Sequence, residues 1–123
     1  MGTDTLATAT TATPDGCRFS VVGELDLASV RALRARWSEA LVGAPRRLDL
    51  DLAGLTFLDA TGLGTILWCR QRALAVGLGC RVVAASPSAV RIMRLTGTHV
   101  LLVEDPPARL SRPAGAAAPG SDG

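Results

Sequence analysis

The sequence lacks several residue types on which nucleic-acid-binding proteins depend. Its 123 residues contain no lysine and no tyrosine, and only two tryptophans and two phenylalanines. The formal net charge is only +2, and the thirteen basic residues, all arginine, are scattered along the chain. Nucleic-acid binding calls for a basic stripe, often with stacking aromatic side chains. We therefore expect no nucleic-acid partner.

Cysteine and histidine are also sparse. Cys17, Cys69 and Cys80 lie far apart, and His99 is the only histidine. No pair of cysteines or histidines has the close spacing of metal ligands. The three cysteines are predicted to be free thiols in a reducing compartment. We expect a cytoplasmic protein with no metal ion, no cofactor and no small-molecule substrate.

Long hydrophobic runs are absent as well. No run has the length needed to cross a bilayer, and the first ten residues lack the basic and apolar regions of a secretory signal. Yet 48% of the residues are hydrophobic, which is typical of a globular core. Residues 1–104 are predicted to form one domain. Residues 105–123, rich in Pro, Ala, Gly and Ser, are predicted to form a disordered tail.

Hydrophobic periodicity and turn residues predict the element order β-β-α-β-α-β-α-β. Pro14-Asp15-Gly16 is predicted to form the turn of a β-hairpin with strands at 3–13 and 17–22, the second of which is closed by residues 23–26. The later elements are a helix at 27–42 with Asp26 as N-cap, a strand at 46–52, a helix from 61 or 63 to 76, a strand at 81–85, a helix after Ser86 that closes at Gly97, and a strand at 100–103. This order predicts an α/β fold with a mixed sheet of about five strands and helices mainly on one face.

The periodic helices predict which side chains face the core. Arg31 falls on the outward side of the first helix. Leu63 belongs to the inward stripe of the second helix, and Trp68 points nearly opposite. Leu95 is assigned to the inward side of the third helix, together with Val90 and Met93.

One junction is the expected working surface. An alternating strand ends at Leu52, a short connection follows, and Asp59-Ala60-Thr61-Gly62-Leu63-Gly64 leads into the second helix. A helix N-terminus presents free N–H groups and a partial positive charge. The two glycines do not make a phosphate-binding loop, because the lysine and the full glycine spacing of that motif are missing. They are predicted to allow tight packing at the helix entry.

Three segments together resemble the STAS domain family of anti-sigma factor antagonists. They are Val21-Val22-Gly23-Glu24-Leu25-Asp26, the stretch from Leu50-Asp51-Leu52 through Phe57-Leu58-Asp59-Ala60-Thr61-Gly62-Leu63-Gly64, and the stretch from Ser86-Pro87-Ser88 to Leu95-Thr96-Gly97. The resemblance implies a bacterial protein that binds an anti-sigma factor of the GHKL serine-kinase type. Binding releases a sigma factor, and phosphorylation of the loop before the second helix ends the binding.

The resemblance places the partner-binding loop at six positions: Asp26, Asp59, Ala60, Thr61, Gly62 and Leu63. The outward Trp68 is added as a contact because tryptophan is enriched at binding hot spots. The family motif is Asp-Ser-Ser/Thr-Gly with the first hydroxyl as phosphate acceptor, but this chain has Ala60 there. Thr61 is either the N-cap of the helix, which we favour, or a substitute acceptor. We expect partner binding without the usual phosphorylation switch.

Two alternatives remain. The first is a STAS-like scaffolding or ligand-sensing module in a larger regulatory complex with no kinase partner. The second is a small α/β phosphotransfer or nucleotide-handling enzyme, for which only Asp26 and Asp59 are candidate ionisable groups at strand ends. His99 has no triad partners in the sequence around it. We therefore predict a binding protein and not an enzyme.

Overall fold

The computed structural model describes residues 5–103, which form one mixed α/β domain. The prediction of a tail at 105–123 lies outside these residues. The described elements are β1 (Leu6–Thr13), β2 (Gly16–Leu25), α1 (Val30–Gly43), β3 (Leu48–Leu58), α2 (Ala60–Ala75), β4 (Val82–Ala85), α3 (Pro87–Thr96) and α4 (His99–Val103). None of the described helices is long and apolar enough to cross a membrane.

The four described strands form one sheet in the order β1-β2-β3-β4. The strands β1 and β2 pair antiparallel through the turn at Pro14 and Asp15, which confirms the predicted hairpin. β2 pairs parallel with β3, and β3 pairs parallel with β4. The β-α-β connections are right-handed as a rule, so α1 and α2 cover the same face of the sheet and pack against each other.

Strand β3 is longer than predicted because two bulges carry it through the region expected to be a loop. Its buried side chains alternate from Leu48 to Leu52 and then recur at spacings of three, at Leu55 and Leu58. Ser20 pairs with Asp51 and Val22 pairs with Gly54, so β3 has one more residue than β2 in this interval. A second extra residue of β3 lies between Leu55 and Phe57. Each bulge adds one unpaired residue, and the next leucine after it again points towards the core. A simple alternation test therefore misses the second half of the strand.

The described core is built mainly from leucine around an aromatic pair. The rings of Phe19 on β2 and Trp37 on α1 meet edge to face, with centroids 5.0 Å apart, and both side chains are fully buried. Ile66 on α2 and Leu50 on β3 belong to the same buried cluster. The predicted arrangement, with helices mainly on one face of a mixed sheet, is confirmed.

Helix α1 begins three residues later than predicted. Its N-cap is Ser29, and Asp26 instead forms a turn ahead of the helix. The Asp26 carboxylate accepts a hydrogen bond from the N–H of Ala28 at 3.0 Å, and the Ser29 hydroxyl donates to the carbonyl of Glu24 at 2.9 Å. The prediction of Asp26 as the helix N-cap is therefore wrong. Aspartate favours both N-caps and turns, and sequence alone does not separate the two.

The predicted fifth strand at 100–103 is wrong, because α4 occupies these residues. Gly97 adopts a left-handed conformation after α3, as a helix-ending glycine commonly does. The N–H of Leu102 then bonds to the carbonyl of Thr98 at 3.0 Å, and the Leu102 side chain is fully buried. A short apolar run fits a strand or a buried helical turn equally well. Leu95, predicted to face inward, is 77% exposed.

Candidate functional site

The parallel pairing of β2 and β3 brings two acidic residues to one edge of the sheet. Leu25 pairs with Leu58 in the last register position of the two strands. Asp26 and Asp59 follow these leucines directly, so they lie side by side at the carboxyl ends of the strands. This is the edge where α/β sheets commonly place their functional groups. The segment that ends at Asp26 and the segment that leads to Asp59, which only the sequence resemblance had linked, are therefore neighbours in the fold.

Asp59 is the N-cap of α2. Its Oδ1 accepts a hydrogen bond from the N–H of Gly62 at 2.8 Å, and its carbonyl accepts from the N–H of Leu63 at 2.9 Å. The helix therefore begins at Ala60, earlier than predicted, and Thr61 is the second helical residue. The interpretation of Thr61 as the N-cap is wrong. Its side chain is exposed, and its carbonyl accepts from the hydroxyl of Thr65 at 3.1 Å.

Removing the cap should destabilise the domain without removing core contacts. We expect Asp59→Ala to lower the free energy of unfolding by about 1 kcal/mol, within the range of 0.5–2 kcal/mol for lost N-caps. Asp59→Asn keeps a side-chain oxygen that accepts from Gly62, so it should retain most of the stability. Urea denaturation of the three proteins measures the difference. Equal loss in both variants would show that charge at this position matters more than the hydrogen bond.

Gly62 allows α2 to start against the end of β2. A Cβ atom at Gly62 would overlap the carbonyl oxygen of Leu25 and lie 2.7 Å from Cδ1 of Leu58. The predicted tight packing at the helix entry is thus found at Gly62. At Gly64, two residues later, a Cβ would meet no atom within 4 Å, so the second glycine has no such packing role.

The predicted partner-binding residues divide into exposed and buried groups. Ala60 and Thr61 are exposed at the first turn of α2, and Asp26 and Asp59 are partly exposed beside them. Gly62 is buried, and so is Leu63, which packs in the core. Gly62 and Leu63 therefore lie beneath the surface. The surface of the predicted loop is formed by Asp26, Asp59, Ala60 and Thr61.

Trp68 lies in the middle of α2, about two turns after Thr61, and is only partly exposed. Its ring packs against the edge of the core and lies under the guanidinium of Arg34, with Cζ 4.9 Å from the ring centroid. The guanidinium of Arg72 approaches the same ring at 5.9 Å. Such cation–π contacts hold an arginine in place over an aromatic ring. Trp68 is therefore less outward than its helical position predicts, and it helps to position Arg34.

An open groove runs between the first turns of α1 and α2, beside Ala60 and Thr61. Its other lining residues come from the start of α1 and from the next turn of α2, namely Leu27, Val30, Arg31, Arg34, Gly64 and Thr65. The two arginines were not expected there. Their spacing of three places them on one side of α1, which the sequence could have indicated. That this side faces the first turn of α2 follows only from the packing of the helices.

Other ionisable residues of the described chain form no second site. Cys69 and Cys80 are buried thiols and Cys17 is a partly buried one, and the three form no disulfide, as predicted. Burial, with a smaller contribution from Cys80, raises the pKa of the Cys69 thiol, which therefore stays protonated. Residues 5–103 contain no group of three or more histidine, cysteine or acidic side chains that could hold a metal ion. His99 is exposed at the start of α4.

The sequence and the fold together identify the family. The sequence profile described as "Mlab, STAS domain" matches residues 8–104, which is most of the chain. The chain belongs to the STAS domain family. An anti-sigma factor antagonist from Mycobacterium paratuberculosis has a similar structure, with a TM-score of 0.67 and 26% sequence identity over 79% of this chain and 82% of that one.

Two structures of the antagonist SpoIIAA share the fold at lower identity. The unphosphorylated form has a TM-score of 0.63 and 23% identity, and it covers 79% of this chain and 86% of its own. The phosphorylated form, from Bacillus, has a TM-score of 0.59 and 24% identity, and it covers 82% of this chain and 92% of its own. At these identities the similarity establishes the fold.

Proposed function

We propose that this protein is an anti-sigma factor antagonist that binds an anti-sigma factor of the GHKL serine-kinase type and thereby releases a sigma factor. The observation that carries the proposal is the exposed first turn of α2, with Ala60 and Thr61 beside Asp26 and Asp59 at one sheet edge. A similar protein of 26% identity is an anti-sigma factor antagonist, which supports the same role here. Both partners would meet in the cytoplasm.

We further propose that this protein binds its partner without the usual phosphorylation switch. A phosphoryl group adds roughly −1.5 to −2 charge, and a charge left unpaired in an interface costs on the order of 3–5 kcal/mol. That cost is large enough to release a partner. Ala60 has no oxygen to accept the group, and the hydroxyl of Thr61 is displaced by one residue along the helix. A kinase that acts on position 60 in a related chain would therefore leave this one bound.

Replacing Ala60 by serine should restore the switch. We expect Ala60→Ser, incubated with the anti-sigma factor and ATP, to gain one phosphoryl group and to lose affinity by roughly 100-fold or more. The wild type should gain none and stay bound. Intact-protein mass spectrometry and a binding assay on the same samples measure both effects. The serine lies on the exposed first turn, so its own effect on stability should be within about 0.5 kcal/mol.

Two controls complete this test. Ala60→Ser combined with Thr61→Val should still be phosphorylated, since the new serine is the acceptor. Wild type carrying stoichiometric phosphate on Thr61 would contradict the proposal of a missing switch. The partner is first obtained by affinity capture with the wild-type protein from its native cells. An anti-sigma factor among the captured proteins supports the antagonist role, and its absence counts against it.

One specific observation favours a second candidate, a STAS module that holds a larger regulatory complex together without a kinase. A permanent scaffold needs no phosphate acceptor, and Ala60 fits that requirement directly. Capture from native cells separates the two functions. A stable complex with neither kinase nor sigma factor would favour the scaffold. The third possibility, a small α/β enzyme, gains no support from Asp26 and Asp59, whose carboxylates accept hydrogen bonds from nearby backbone N–H groups.

A further inference from the structure

We propose that the groove between α1 and α2, here called the arginine groove, binds an acidic segment of the anti-sigma factor that also carries an apolar side chain. The arginine groove is lined by eight residues, namely Leu27, Val30, Arg31, Arg34, Ala60, Thr61, Gly64 and Thr65. This inference rests on the proposed function, because it specifies which chemistry of that partner the groove recognises. It extends the docking surface from the first turn of α2 across to α1.

The lining of the groove carries two arginines and no acidic residue. Among residues 5–103, neither Arg31 nor Arg34 forms an ion pair. The carboxylates of Asp26 and Asp59 are not part of this lining, and each accepts a hydrogen bond from a backbone N–H group, that of Ala28 and that of Gly62. The first turn of α2 adds the partial positive charge of a helix N-terminus. Carboxylates are the complementary groups, and arginine binds them in a fixed forked geometry.

The groove is also partly preorganised. The stacking of Arg34 on Trp68 restrains a long side chain that would otherwise lose rotational freedom on binding. Its guanidinium is thereby held on the α2 side, while Arg31 lies one turn earlier on α1. A carboxylate in the groove thus meets the guanidinium of Arg34, restrained by the Trp68 ring, and that of Arg31.

The apolar requirement comes from Leu27 and Val30. Leu27 is 75% exposed at the entrance to α1, next to Val30 at the start of the helix. A single exposed leucine is ordinary on a protein surface. Here Leu27 lines the same groove as two arginines and Gly64. A Cβ atom at Gly64 would meet no atom within 4 Å, so a partner side chain can approach the backbone there. A partner segment with an acidic side chain for the arginines and an adjacent apolar side chain for Leu27 and Val30 would complement the groove.

Charge reversal in the groove tests the inference. We expect Arg31→Glu to weaken binding of the captured anti-sigma factor roughly tenfold at low salt, mainly through slower association. Arg34→Gln, which removes one charge, should also weaken binding and reduce the salt dependence of the affinity. The matched control is Arg91→Glu, which makes the same charge change at an exposed position of α3 outside the groove. Surface plasmon resonance at several salt concentrations measures rates and affinities.

The outcomes separate this inference from the proposed function. Wild type that binds an anti-sigma factor, with both groove variants binding equally well, overturns the groove and leaves the function intact. Equal weakening by Arg91→Glu also overturns it, because the effect would then follow from net charge alone. Wild type that binds no anti-sigma factor overturns both. Recovery of Arg31→Glu binding by reversing an acidic residue of the partner to arginine supports the direct contact, and circular dichroism verifies that each variant is folded.

Discussion

Gly62→Ala should lower the free energy of unfolding by about 1–3 kcal/mol, the usual cost of adding a methyl group where no space exists. The added Cβ would overlap the carbonyl oxygen of Leu25 and lie 2.7 Å from Cδ1 of Leu58. The carbonyl belongs to the last residue of β2 and cannot rotate away, so α2 must shift. Because α2 carries the exposed Ala60 and Thr61, the same shift should also weaken partner binding.

Gly64→Ala is the matched control for this prediction. It makes the same change in the same helix, two residues later, where the new Cβ meets nothing within 4 Å. Alanine is favoured over glycine within a helix by about 0.5–1 kcal/mol, so this variant should gain stability. Urea denaturation gives both values. Two variants that change stability in the same direction would contradict the close approach of α2 and β2.

Ala60→Asp should abolish tight binding of the anti-sigma factor while leaving the domain folded. A negative charge at a helix N-terminus is favoured by about 0.3–1 kcal/mol, and Ala60 is exposed, so the unfolding free energy should stay the same or rise. In the complex, an unpaired carboxylate costs on the order of 3–5 kcal/mol, a loss of more than about 100-fold in affinity. It would also compete with an acidic partner for Arg31 and Arg34.

The matched control for this charge is Ala35→Asp. Ala35 is exposed in the middle of α1 and lies outside the arginine groove, so its new carboxylate should change affinity by less than about tenfold. Isothermal titration calorimetry with the captured anti-sigma factor measures both variants, and thermal unfolding monitors the fold. Binding by Ala60→Asp at wild-type affinity would exclude the first turn of α2 from the interface.

Much of the architecture could be predicted because its signals are local. Pro14 and Gly16 mark the hairpin, and Ser86 followed by Pro87 marks the start of α3, where the serine hydroxyl accepts from the N–H of Ala89 at 3.2 Å. Gly97 marks the end of that helix. In each case the side chain or the missing side chain acts on the backbone within a few residues, so sequence is sufficient.

The structural predictions that were wrong share a different cause. The second half of β3 is a strand only because β2 offers it hydrogen bonds through two bulges, and Leu102 is helical only because a turn buries it against the core. These choices depend on partners distant in the chain, which periodicity does not report.

The candidate site follows the same division. The sequence by itself determined the family resemblance, the acid at Asp59 and the missing hydroxyl at Ala60, since these are matters of residue identity. Only the tertiary structure decided that Asp59 and not Thr61 caps the helix, and that Arg34 stacks on Trp68 and lines one groove with Thr61. The physical reason is that the groove forms where two helices pack, and its two walls, with Arg31 and Arg34 on one and Ala60 and Thr61 on the other, lie about thirty residues apart in the sequence.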